Sequence, residues 1–204
     1  MVGIKQFNEE LIVERAMVVF WRIGFGATSI DDLEKATKLR RGSLYNAFGD
    51  KEGLFVAALK RYQETVGQDR IKCLANEDPY QAIGGFLNVL VDQMSDPKRP
   101  RGCLYTNTSL ECPSVPDAVE RIVAESTSAI ERALYAVLER AKGQRILDPK
   151  ADTRALARFY LSVAKGMGVV HKVFGDTAML RETVKFAMDA WPAPRKGLPH
   201  ARRG

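Results

Sequence analysis

Apolar residues recur at three- and four-residue spacing along most of the chain, and no stretch alternates with the period of two that a half-buried strand requires. A first helix is predicted from about Asn8 to Ile23, with Leu11, Ile12, Ala16, Val19, Phe20 and Ile23 as its stripe. Gly24 would supply a left-handed stop, letting Phe25 fold back on Phe20. Two short helices follow. Ile30, Leu33 and Ala36 share one stripe, and Leu44, Ala47 and Phe48 the other, with a turn near Thr37 to Leu39. Asp50 caps a fourth helix whose period (Leu54, Phe55, Ala58, Leu59, Tyr62, Val66, Ile71, Leu74) continues to about Ala75. At 1.5 Å per residue that rod is roughly 35 Å long. Beyond the break at Asn76 to Pro79 come a helix over 79–95, the loop SDPKRPRG, and a short helix in GCLYTNTSLECP ending before Pro113. Three more are expected: from Pro116 and Asp117 to about Ala141, from about Asp152 to Phe174 with Gly175 as stop, and from Asp176 to near Trp191. The fold class is all-α.

Two short helices joined by a tight turn suggest a helix-turn-helix, whose second helix enters the major groove of DNA. The charges around the turn sharpen this. Lys35, Lys38, Arg40 and Arg41 crowd the start of the second short helix, at the positive end of its dipole, where a cation costs roughly 0.3–1 kcal/mol. A phosphate backbone reverses the sign of that cost. With Leu44 and Phe48 inward, Arg40, Arg41, Ser43, Tyr45 and Asn46 are left for the groove, and Gly42 lets the backbone approach closely. Arg can pair with guanine and Asn with adenine; which Arg reads a base stays open. Tyr45 has two readings, a phosphate contact and a partly buried core tyrosine. Thr28 and Ser29 are candidate N-caps, a role compatible with a phosphate contact. Lys51, a cation at a helix start, suits a phosphate.

The stretch from Phe20 to Phe55, FWRIGFGATSIDDLEKATKLRRGSLYNAFGDKEGLF, resembles the DNA-binding domain of the TetR/AcrR family of bacterial transcriptional regulators. Gly24-Phe25, Thr28-Ser29, Gly42, Tyr45, Phe48, Lys51 and Leu54 carry the likeness through their joint spacing. Two positions depart from it: Lys38 stands where the family often has Gly, and Arg40 where it often has a Ser or Thr cap. The resemblance implies a three-helix DNA-binding domain joined by a long helix to a larger helical ligand-binding and dimerisation domain. It implies a homodimer through the last two helices (about 152–191), a palindromic operator on double-stranded DNA, and an unknown small-molecule effector whose binding releases DNA. Repression rather than activation is expected from the family alone. The boundaries drawn are 1–52 for the DNA-binding domain, 53–191 for the effector-binding and dimerisation domain, and 192–204 for a basic tail read as disordered. The apolar arcs of the last two helices (Leu156, Phe159, Tyr160, Val163, Val170, Leu180, Val184, Met188, Trp191) fit both a dimer seam and a monomer core. Gly166 and Gly168 suggest close helix approach.

Composition narrows the rest. The 204 residues suffice for a sizeable core, and 46% hydrophobic content is ordinary for a soluble protein. The net charge of +6 says little about DNA, because residues 192–204 alone carry Arg195, Lys196, Arg202 and Arg203 without an acid. No apolar run reaches the roughly 18 residues of a membrane span, and MVGIKQFNEE lacks the apolar core of a signal peptide. A cytoplasmic protein with no membrane partner is expected. Cys73, Cys103 and Cys112 are expected as free thiols. With only His171 and His200 there is no metal-ligand spacing, and no cofactor is expected. No GxSxG, HExxH, GxxxxGK[ST] or CxxC occurs, so an enzyme is not expected. Cys103 follows Lys98, Arg99 and Arg101 at a helix start, features that lower a thiol's pKa and make it a candidate redox or electrophile sensor. Some members of the resembled family that sense such compounds use a cysteine in a similar place. The competing reading is a small buried thiol.

Overall fold

The computed structural model describes residues 8–112 and 114–194. The expectation of a disordered tail at 192–204 lies mostly outside these residues. Among the described residues every regular element is helical. Helices α1 (Glu9–Ile23), α2 (Ile30–Thr37) and α3 (Arg41–Phe48) form a head, in which α1 and α3 pack on α4 (Lys51–Tyr62). A π-helical segment, Gln63–Gly67, carries α4 directly into α5 (Gln68–Leu74). The body holds α6 (Pro79–Ser95), α7 (Leu104–Ser109), α8 (Asp117–Gly143), α9 (Thr153–Phe174) and α10 (Thr177–Asp189).

Each helix of the head starts where a side chain can take up its free amides. Asn8 caps α1, Ser29 and Asp32 form a reciprocal capping box on α2, and Asp50 caps α4. The head's core is aromatic: Phe20 lies 4.6 Å from Phe55, and Phe25 lies 5.0 Å from Phe55 and 6.2 Å from Phe20, centroid to centroid. Leu33, Leu44 and Leu54 close it. In the body α6 is the central rod, with Ile83, Phe86, Leu87, Leu90 and Val91 buried against neighbours on several sides. Helix α7 sits where head and body meet, touching α1, α4, α8 and α9.

Several expectations change. The inward stripe of α1 is Ile12, Val13, Ala16, Met17, Phe20 and Trp21, while Leu11 and Ile23 are exposed. The stripe turns because α7 of the body, distant in sequence, covers α1 on a second side. Ala47 is exposed because α3 is too short for a second layer. The rod over 51–75 is interrupted by its π segment, and Ile71 is part-exposed. Gly24 has φ 88°, ψ 167°, an extended mirror conformation in place of the left-handed stop. Gly168 packs on Thr106 of α7 in the same protomer, so its missing side chain serves the body's core.

Candidate DNA interface and effector cavity

The turn between α2 and α3 is held from three directions. Lys38 adopts φ 63°, ψ 19°, a left-handed conformation that costs a non-glycine residue roughly 1–2 kcal/mol. Thr37 offsets this: its hydroxyl donates to the Leu33 carbonyl at 2.6 Å and accepts from the Leu39 amide at 3.3 Å. Arg15 of α1 donates to the Thr37 carbonyl at 3.4 Å. Arg40 occupies the N-cap of α3 without any capping hydrogen bond of its own. The cap comes instead from α2, where the Glu34 carboxylate accepts the Arg41 amide. A residue of the preceding helix therefore does the work that a Ser or Thr at position 40 would do, and frees that position for an arginine.

Arg40, Arg41, Gly42, Ser43 and Asn46 are all exposed on one end and face of α3. Neither arginine meets a carboxylate in an ion pair among the described residues; those pairs lie elsewhere, as at Arg61 with Glu14 and Arg158 with Glu131. The Arg41 guanidinium lies 5.0 Å over the half-buried Tyr45 ring, which holds it against the helix without neutralising it. A Cβ at Gly42 would meet nothing, so the fold itself does not demand glycine there.

Ser29 is exposed, with its hydroxyl bound to the Asp32 carboxylate at 2.6 Å. Thr28 and Lys51 stand apart from the α3 face. Thr28 is 2% exposed and its hydroxyl donates to the Gly24 carbonyl. Lys51 donates to the carbonyls of Phe25 at 3.0 Å and Thr28 at 3.1 Å, with its ammonium 4.3 Å from the Phe25 ring centre. Of the two candidate caps Ser29 takes the role and Thr28 is buried behind it, while the Lys51 ammonium fastens the α1–α2 turn, whose carbonyls need donors.

Deeper in the protein, a cavity of about 40 Å³ lies between the π segment, α5, α6, α7, α8 and α9, room for about three waters. Cys103, 5% exposed, is at its wall. Its sulfur accepts from the Tyr62 hydroxyl and from Arg70 Nη1, both at 3.4 Å. Arg70 also donates to the Tyr62 oxygen at 2.9 Å and, through Nε, to Gln93 Oε1 at 2.7 Å. Gln93 in turn donates to the Val66 carbonyl of the π segment at 2.9 Å. Burial alone would raise the Cys103 pKa, but the Arg70 charge and the hydrogen bonds from Tyr62 and Arg70 outweigh it and bring the thiol down to about 6. Burial pushes Tyr105 up to about 12 and pushes the Lys165 ammonium down. No carboxylate is among the lining residues.

The cations expected to activate Cys103 are not its partners. Arg99 pairs with Asp96, and Arg101 lies against Gly175. The group that acts, Arg70, went unread in the sequence, although its signal was there: Tyr62, Val66, Arg70 and Leu74 recur every four residues, which places a charge on an inward stripe. Glu34, Glu111 and Gln93 left no comparable signal. Among the described residues no His, Cys, Asp and Glu cluster could hold a metal, and no helix is long and apolar enough to cross a membrane.

Comparison with known proteins agrees with this geometry. The family described as "Bacterial regulatory proteins, tetR family" matches residues 12–58, and "Tetracyclin repressor-like, C-terminal domain" matches residues 79–187. The chain is 31% identical over 189 residues to the uncharacterized HTH-type transcriptional regulator YezE of Bacillus subtilis (strain 168), covering 90% of this chain and 96% of that one. It is 25% identical over 190 residues to the HTH-type transcriptional repressor ComR of Escherichia coli (strain K12), covering 92% and 90%. A solved structure of the TetR family transcriptional regulator CifR, a cysteine mutant complexed with 26-base-pair operator DNA, superposes with a TM-score of 0.86 at 29% identity, covering 93% of this chain and 100% of that one. Matched in both its head and its body, the chain belongs to the TetR family of bacterial transcriptional regulators and is a DNA-binding transcriptional regulator.

Proposed function

We propose that the protein is a homodimeric repressor of a palindromic operator, released from DNA when a small electrophile reacts with Cys103. One observation carries the DNA reading: two exposed arginines stand at the amino end of a short helix whose cap is supplied from another helix. Arg40, Arg41, Ser43 and Asn46 face the groove, and Gly42 admits the backbone. Tyr45 steadies Arg41 and reaches a phosphate, and Ser29 adds another phosphate contact at the start of α2. Thr28 and Lys51 position the turn. Residues 1–52 act as the reading head and 53–191 as the receptor and dimer body, with the basic segment 192–204 beyond. The protein acts on DNA in the cytoplasm, and its body is a receptor with no catalytic role.

The dimer reading rests on α9 and α10. Tyr160, Leu180, Val184 and Met188 complete the protomer's core, while Phe159, Val173, Phe174, Met179 and Phe186 stay exposed, Phe174 at 61% and Phe186 at 74%. Apolar groups of this size exposed together mark an association surface. Gly166, where a Cβ would meet nothing in the protomer, leaves room for a partner's helix. Two heads then read two half-sites, which one short helix alone could not do. CifR is described with operator DNA and ComR as a repressor, which supports the operator and repression parts of the proposal.

The effector reading rests on the cavity. Its thiolate is held by Arg70 and Tyr62, and Lys165 adds donors with no carboxylate opposing them. The matching effector is a small electrophile bearing an electronegative oxygen, such as an alkene conjugated to a carbonyl. The Cys103 sulfur forms the new S–C bond, the alkene electron pair moves to the neighbouring carbon, and that carbon takes a proton from water. The test is anisotropy titration of DNA flanking the encoding gene. Arg41→Ala is expected to weaken binding and to lower the salt slope by about 1 if Arg41 meets a phosphate. Cys103→Ser is expected to bind DNA but ignore the electrophile. Equal binding by wild type and Arg41→Ala would refute the α3 reading.

A further inference from the structure

Helix α7 begins at the cavity and ends on the head. Cys103 is its N-cap residue, and Tyr105 and Thr106 line the cavity. One turn further on, Asn107 Nδ2 donates to the Trp21 carbonyl at the end of α1, at 3.2 Å. Just past its last turn the Glu111 carboxylate accepts the Phe25 amide at 3.2 Å and the Gly26 amide at 2.9 Å. Lys172 of α9 donates to the Arg22 carbonyl at 2.9 Å and to the Trp21 carbonyl at 3.5 Å. The free carbonyls at the end of α1 and the free amides of the following turn are therefore met by side chains of the body. Gly24 accommodates this grip: a Cβ there would lie 2.5 Å from Glu111 Oε1.

The seam is also poised to change. Trp21 Nε1 on α1 and Asn107 Oδ1 on α7 are each buried without a hydrogen-bond partner. The Trp21 ring meets Tyr62, the donor to Cys103, edge-on at 4.9 Å. An adduct larger than three waters overfills a 40 Å³ cavity, and a close-packed interior answers overfilling by moving an element. Six residues long and bound at both ends, α7 is the element in the way.

We propose that Glu111, with Asn107 and Lys172, forms the clasp through which α7 acts as a lever on Trp21 to Gly26, so that these positioning residues carry the state of the Cys103 cavity to the DNA-binding head. The proposal rests on the electrophile reading of Cys103. Adduct formation displaces α7, the Glu111 carboxylate leaves the Phe25 and Gly26 amides, and the head loses the support that fixes its pose.

The test uses the full-length protein carrying Cys73→Ser and Cys112→Ser, treated with N-ethylmaleimide, with two readouts. In hydrogen–deuterium exchange, alkylation is expected to speed exchange across 21–28 by about 10-fold or more, the effect of losing charge-assisted hydrogen bonds. Glu111→Gln is expected to speed it before alkylation while leaving the rate of thiol alkylation unchanged. In operator titrations, Glu111→Gln is expected to shrink the ratio of affinities before and after alkylation towards 1. Unchanged exchange across 21–28 after alkylation overturns the lever, even where operator affinity falls. Where alkylation does weaken operator binding by the parent protein, an undiminished affinity ratio in Glu111→Gln overturns it too. Faster exchange with unaltered operator affinity supports the lever and overturns effector release instead.

Discussion

Replacing Arg70 by Met removes the cation that faces Cys103 while keeping most of the side chain's volume. In the wild type the thiol titrates at about 6, so about 90% is thiolate at pH 7. In Arg70→Met burial, the Tyr62 hydroxyl and the Thr106 amide remain, and burial is the largest influence, acting upward. If the thiol returns to about 9, the thiolate fraction at pH 7 falls to about 1%, a loss of roughly 90-fold. A more basic thiolate is also a better nucleophile: with a Brønsted slope of 0.4–0.5, three pH units give back roughly 15- to 30-fold. The net drop in alkylation rate at pH 7 is therefore only about 3- to 6-fold, and the position of the inflection is the sharper readout. The assay is the rate of maleimide addition against pH in the Cys73→Ser, Cys112→Ser background, since burial raises both of those thiols and would add signal at high pH. Wild type is expected to inflect near 6 and Arg70→Met above 8.5. Arg70→Lys, which keeps the charge on a shorter reach, is expected in between. A wild-type inflection above 8, or one that Arg70→Met leaves in place, would refute the thiolate–guanidinium argument.

Three further outcomes are expected. Glu34→Ala removes the cap of α3 and should cost about 1 kcal/mol of unfolding free energy by denaturant titration, together with operator affinity. Phe186→Asp should turn the dimer into a monomer by sedimentation and abolish high-affinity operator binding, while the far-ultraviolet dichroism keeps its helical form. Stability should rise with pH in two windows, measured by urea unfolding under reducing conditions. Burial and then Arg101 depress the His171 pKa, and its Nδ1 accepts from the Gly102 amide at 3.0 Å. Below about 6.5 the unfolded chain therefore binds the His171 proton more readily, and stability falls as pH falls, an effect that His171→Asn should weaken. Cys103 acts in the same direction higher up. Its contribution is complete above the ordinary thiol value near 9 and is lost as pH falls through 6.

The head was legible because its determinants are local. Ser29 with Asp32, Asp50 with Gly53, and the inward Leu33 and Leu44 lie within a few residues of what they govern. So were the ends of the body helices, set by Asp152, Asp176 and Gly175. What escaped depends on pairs far apart in the chain. Glu111 meets Phe25 across 86 positions, Lys172 meets Arg22 across 150, and Arg70 meets Cys103 across 33. Periodicity says that a residue faces inward, yet not what it will face. That is why Cys103 was assigned the nearby cations of its own loop and not the arginine of another helix. The same limit explains α1, whose stripe is widened by a helix that arrives about eighty residues later.

The π segment has a consequence for the sulfur site. Tyr62 and Arg70 are eight residues apart, slightly more than two turns at 3.6 residues per turn, so on a uniform rod their directions would diverge by about 80°. The wider turn at Gln63–Gly67 takes back part of that angle, and both donors reach one sulfur. A uniformly wound α-helix that kept all eight steps would set the two donors about 80° apart and loosen the paired grip on Cys103, so the sulfur site depends on one wide turn of the backbone.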